Sequence, residues 1–339
     1  MTTQEYLEKR LKEVSTYKPS EEDFKVVQFE GIEAYIYRKL KSKKFRKTSI
    51  DADSEKRIKE AIALNVKAGK PIKFTYPFGA YKLWRLPSHP NVDWSEFFVI
   101  AYVIEYIAPI LAMYEPGVEF IFSSDDVCIE LIDNYPREEL DAYNESFNNL
   151  LKEFRKYIPN NLNISLVQIV PDVYNREEYD KEIQELYDVR KAQGFTDEQR
   201  AGMMQKMELH FRAKGAKDYG ELNQEEKIKV WEDLTFWSDA YLKLSKRRAF
   251  DRADDAIVVF SKKIANAIDI GSTRVSKTSF WVGIGVLETL DGKFFERILS
   301  VKQWESTKDR AEEEKISLLK IKEFKRINVY NERLKFLIS

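Results

Sequence analysis

Lys82 and Arg85 stand in the aromatic stretch Phe78-Gly79-Ala80-Tyr81-Lys82-Leu83-Trp84-Arg85, a combination suited to an anionic organic ligand. An arginine grips a phosphate or carboxylate with paired hydrogen bonds, and a lysine supplies a point charge. Tyr81 and Trp84 would pack around the organic part, and Gly79 would let the backbone approach closely. An ordinary amphipathic loop would account for the same residues. In Ser123-Ser124-Asp125-Asp126 a carboxylate could accept a proton, bind a substrate amine or coordinate Mg²⁺. Neighbours on an extended chain point opposite ways, so the two acids form no single chelate unless a turn redirects them. Asp125 is the preferred catalytic group, with Ser124 and Asp126 as substrate contacts; capping the next helix is the alternative role for one acid. His89, between Ser88 and Pro90, can serve as acid or base, and completes a catalytic set of Lys82, Asp125 and His89.

Two further clusters offer positive charge to an anion. Arg247 and Arg248 lie in Ser245-Lys246-Arg247-Arg248, where a solvated helix end is the competing reading; Ser272, Thr273 and Arg274 follow Gly271. The glycine cluster has neither P-loop spacing nor the dinucleotide fingerprint, so no nucleotide cofactor is indicated. His210, at helical spacing, and Cys128, beside Ile129 and Leu131, read as structural residues.

These clusters share one feature of placement, since each of five short apolar runs ends in a polar group. The runs are 73–76, 118–122, 164–170, 256–260 and 267–270. As strands of one largely parallel sheet, they would bring the clusters to its carboxyl edge, where open α/β sheets bind ligands. Helices are predicted over 4–14, from Ser20, over 53–67, from the capping box Asp93-Trp94-Ser95-Glu96 to about 114, and over 137–157. The alternation predicts a Rossmann-like α/β fold with right-handed crossovers and helices flanking the sheet. Residues 1–68 form a helical N-terminal region, 69–300 the α/β core, and 301–339 an extension packed on it. Within the core, 176–240 loses the strand pattern and reads as a helical insertion, either a lid or a buttress. Residues 281–287 and Leu290-Asp291-Gly292-Lys293 predict a strand and a turn.

With 339 residues and 56 basic against 57 acidic side chains, the chain has the length for a sizeable core and no general attraction to nucleic acid or membrane. One cysteine excludes an intramolecular disulfide and suits a reducing, cytoplasmic setting, while two histidines exclude a three-histidine metal site. No signal peptide is visible. The apolar stretch 97–114 contains Glu105 and Pro109 and fits a buried helix better than a membrane span. The basic run 38–46 is either a phosphate contact or a solvated helix face.

The stretch Gly69-Lys70-Pro71-Ile72-Lys73-Phe74, followed by Pro77 and Lys82, resembles the first-strand motif of the isocyanide (isonitrile) synthases of pyoverdine and dityrosine biosynthesis. Ser124-Asp125-Asp126 is similar to that family's turn after the second strand, and the likeness spans 69–287. Lys82-Leu83-Trp84-Arg85 and Phe280-Trp281-Val282-Gly283 depart from the family pattern, the latter lacking its histidine. The resemblance implies that an amino acid's α-amine becomes an isonitrile, with a pentulose phosphate such as ribulose 5-phosphate donating the carbon. It implies Lys82, Arg85 and Arg274 as anion contacts and Asp125 as amine contact or base. It requires no metal or redox cofactor, and implies an iron- and 2-oxoglutarate-dependent oxygenase acting downstream. Two other readings stay open: a Mg²⁺-dependent transferase acting on a phosphorylated or nucleotide-activated substrate, and a module that binds nucleic acid or protein through its basic segments.

Overall fold

A computed structural model of the chain describes residues 2–79, 91–124, 130–131, 136–196, 222–260, 264–271, 284–316 and 321–328. Four helices come first: α1 (Thr3–Ser15), α2 (Glu21–Glu30), α3 (Ile32–Leu40) and α4 (Ala52–Lys67). The polar residues ahead of them fix their starts, since Thr2 and Ser20 form capping boxes with Glu5 and Asp23, and Asp51 accepts from the Ser54 backbone.

The five apolar runs form one all-parallel sheet of order β3-β2-β1-β4-β5. Its strands are β1 (Ile72–Phe78), β2 (Val118–Ser124), β3 (Leu162–Gln168), β4 (Ala256–Phe260) and β5 (Ala267–Asp269). Helix α5 (Trp94–Met113) joins β1 to β2, and α6 (Arg137–Phe154) joins β2 to β3. α5 is apolar on every side and lies inside the protein, with 83% of its most apolar 18-residue window buried. Phe74 stacks on Phe120, Phe122 meets Phe147 of α6, and Phe97 meets Phe154, so one sheet face carries the main core. Two strands end earlier than their apolar runs. β3 stops at Gln168, whose backbone N–H turns to the Asp172 carboxylate (2.8 Å), and β5 stops at Asp269, after which Ile270 bridges to Arg46.

After β3 the chain forms α7 (Arg176–Gln193), α8 (Gln224–Lys243) and α9 (Ser245–Asp251). α7 and α8 pack together around Tyr179, Ile183, Tyr187, Phe236 and Tyr241, a core that continues onto Ile169, Val170 and Tyr174 just beyond β3. α9 returns along the second face of the sheet, where Thr75 Oγ1 donates to the Asp251 carbonyl (3.0 Å).

A second sheet follows, of order β7-β6-β9-β8, from β6 (Ile284–Leu290), β7 (Lys293–Leu299), β8 (Ala311–Ile316) and β9 (Ile321–Asn328), with α10 (Val301–Thr307) between β7 and β8. The β6–β7 hairpin turns at Asp291 and Gly292, both with positive φ (51° and 71°), the geometry that an Asp-Gly pair favours. Gly285 of β6 docks on the start of α5: its N–H donates to Asp93 Oδ1 (3.0 Å), and a Cβ there would collide with the Ser95 backbone.

Candidate functional site at the carboxyl edge of the parallel sheet

Because all five strands run the same way, Phe78, Ser124, Gln168, Phe260 and Asp269 end at one edge. The strand order reverses between β1 and β4: β2 and β3 succeed β1 on one side, while β4 and β5 lie on the other. The crevice at such a reversal is where open α/β sheets hold ligands. Gly79, buried, extends β1 at this point.

Register defines the lining of the second face near that edge. Pro77 pairs with Ser123 and Phe260 with Asp269, and the pairing of β1 with β4 runs as far as Thr75 and Val258. Ser123 and Pro77 are thus neighbours across β2 and β1, and Phe260 and Asp269 across β4 and β5, each pair spaced by about 4.8 Å. Thr75 lies two residues below Pro77 on the same face, and it is this face that α9 covers. Ser123 is fully buried and its Oγ has no hydrogen-bond partner. Asp269 is 7% exposed, and its Oδ1 likewise has none.

Arg247 lies beneath this edge. Its guanidinium stands 4.2 Å from the centre of the Tyr241 ring and pairs with Asp251 (3.4 Å), with both side chains buried. α9 is anchored at its start, where the Lys246 backbone N–H donates to the Tyr174 hydroxyl (2.7 Å) and the Ser245 N–H to Glu182 (2.6 Å). Burial pushes the Tyr174 hydroxyl up in pKa, against the lowering effect of its bonds to Ser245 and Lys246, so it remains protonated as α9's anchor. Arg248 is exposed, and Lys246 pairs with Glu178 (2.6 Å).

At the outer margin, the chain between α3 and α4 adds to β5. Lys47 N–H donates to the Asp269 carbonyl and Gly271 N–H to the Phe45 carbonyl, both at 2.9 Å. Burial pushes the Lys47 ammonium down in pKa, opposed by the charge of Asp269. Other members of the basic run are engaged within the chain: Arg38 pairs with Glu30 (2.7 Å), Lys44 with Glu105 (3.0 Å), and Arg46 Nε donates to the Lys41 carbonyl (2.8 Å).

Of the site residues named from sequence, Ser124 ends β2 at the edge, Arg247 lies buried below it and Arg248 points outward into solvent. Tyr81, Lys82, Arg85, His89, Asp125, Asp126, Ser272, Thr273 and Arg274 lie outside the described residues, as do Cys128 and His210. Among the described residues no group of three or more His, Cys, Asp or Glu is placed to hold a metal ion. The sequence reading passed over Asp269, Asp251 and Tyr241. Only Asp269 carried a visible signal, an acid inside the apolar run Ala267-Ile268-Asp269-Ile270.

No family model and no curated protein matches the sequence. The fold has a solved counterpart. The PvcA protein from Pseudomonas aeruginosa superposes with a TM-score of 0.60 at 14% identity, covering 87% of this chain and 99% of that one. At that identity the likeness is one of fold, extending over nearly the whole of PvcA.

Proposed function

We propose that the chain is a cytoplasmic isocyanide synthase-like enzyme that converts an amino acid's α-amine to an isonitrile, with ribulose 5-phosphate or a similar pentulose phosphate as carbon donor. The observation that carries this reading is the near full-length likeness of fold to PvcA. It coincides with the independent resemblance of Gly69-Lys70-Pro71-Ile72-Lys73-Phe74 and Ser124-Asp125-Asp126 to isocyanide synthase motifs. Of those residues, Ile72, Lys73 and Phe74 open β1 and Ser124 ends β2.

The chemistry needs an anchored phosphate, condensation of an amine with a ketone, and proton transfers. Lys82, Arg85 and Arg274 are assigned to the phosphate, with Tyr81, Ser124, Asp126, Ser272 and Thr273 as further substrate contacts. Asp125 and His89 are assigned to proton transfer. The purified protein, incubated with each proteinogenic amino acid and ribulose 5-phosphate with and without chelator, is expected to yield an isocyanide trapped by a tetrazine and identified by mass. Failure of all twenty, together with no binding of ribulose 5-phosphate, would remove the assignment. Phosphoryl or glycosyl transfer that requires Mg²⁺ would replace it with the transferase.

A further inference from the structure

Asp269 is the last residue of β5, which pairs with β4, one strand out from the reversal between β1 and β4. Its neighbours Ile268 and Ile270 belong to the main core, so alternation turns Asp269 to the second face, where it pairs in register with Phe260. There it is more than nine-tenths buried, and Oδ1 meets no donor. Among the other buried carboxylate oxygens without a hydrogen bond, those of Asp251, Glu288 and Glu105 sit on residues with a cationic partner, Arg247, Arg297 and Lys44 respectively. Asp269 has no such ion pair among the described residues; Lys47 acts on it only through its charge, with its backbone on the Asp269 carbonyl.

A carboxylate taken out of water without a donor is strongly unfavourable unless a partner arrives. A cation with N–H donors supplies both the charge and the hydrogen bond that such a carboxylate lacks. We propose that Asp269 receives the α-ammonium of the amino-acid substrate, which makes it the substrate-contacting carboxylate of the site and assigns proton transfer to Asp125. This rests on the isocyanide synthase-like reading. Charge-assisted hydrogen bonding selects for an amine and against a hydroxyl at the same carbon. Phe260, the register neighbour of Asp269, offers apolar surface to the part of the substrate next to the amine.

The test compares ligands that differ only in that group. Each of the twenty amino acids is titrated calorimetrically against the wild-type chain; those that bind are compared with their 2-hydroxy acid counterparts, and ribulose 5-phosphate is titrated separately. The wild type is expected to favour the amino acid at least tenfold. Asp269→Asn is expected to lose that preference while binding ribulose 5-phosphate within twofold of wild type. Should Asp269→Asn fail to fold by circular dichroism, Asp269→Ser takes its place and is read in the same way. Equal binding of amine and hydroxyl by the wild type, or an undiminished preference in the variant, overturns the role of Asp269 and leaves the functional reading standing. Binding of neither an amino acid nor ribulose 5-phosphate overturns both.

Discussion

Arg247 and Asp251 stand one turn apart on α9, and their 3.4 Å ion pair is sealed between Tyr241 and the second face of the sheet. Breaking a buried pair strands the remaining charge, at a cost of about 3–5 kcal/mol. Asp251→Asn and Arg247→Met are each expected to lose stability on that scale in urea denaturation. The double replacement Arg247→Met/Asp251→Leu should recover much of the loss, because it leaves no unpaired charge.

Gly285→Ala is expected to be among the most damaging small substitutions in the chain. The added methyl would enter the Ser95 backbone, which cannot yield as a side-chain tip can. A loss of about 3 kcal/mol or more is expected from overpacking at this joint. Asp93→Ala removes both the cap of α5 and the acceptor for the Gly285 N–H, and should cost about 2 kcal/mol. Thermal melts of the two variants check both values.

Asp23 introduces a pH dependence of defined sign. Burial opposes its charge, but the Lys39 ammonium, the Tyr17 hydroxyl and the Ser20 backbone N–H outweigh that effect and lower its pKa from 3.8 to about 2. A carboxylate depressed on folding stabilises the native state above its unfolded pKa, and that contribution is lost as pH falls through the folded value. Wild-type stability relative to Asp23→Asn should therefore shrink between about pH 4 and pH 2, followed by acid titration of the folded fraction.

Lys82→Met and Arg85→Met are each expected to weaken ribulose 5-phosphate binding about tenfold or more, with melting temperatures within a few degrees of wild type. Asp125→Asn should suppress turnover and leave that binding nearly intact. Calorimetry and product assays on the same preparations separate the two effects.

The five strands were legible because each is a short apolar run bounded by turn residues, and two helix starts because Ser20 and Asp93 carry the side chains that cap backbone N–H groups. The Asp291-Gly292 hairpin was legible for a similar local reason. β8 and β9 were not, since Glu312-Glu313-Glu314-Lys315 and Ile321-Lys322-Glu323 read as charged segments until β6 supplies a neighbour. Within the site, Ser124 and the arginines of Lys246-Arg247-Arg248 were visible as types. The difference between buried Arg247 and exposed Arg248 comes from packing against Tyr241 and the sheet. Asp269 gains its significance from register with Phe260, and pairing between strands is a long-range property.

The backbone contacts of Phe45 and Lys47 with β5 also bear on how the molecule stays apart from its own kind. An outer strand with unpaired amides is a template for edge-to-edge aggregation. Here a segment made more than 200 residues earlier, rich in lysine and arginine, occupies that margin through Lys47 and Gly271. The helical N-terminal stretch thereby acts as a built-in guard, and a chain shortened past Lys47 would present β5 to its neighbours and gather into sheets with them.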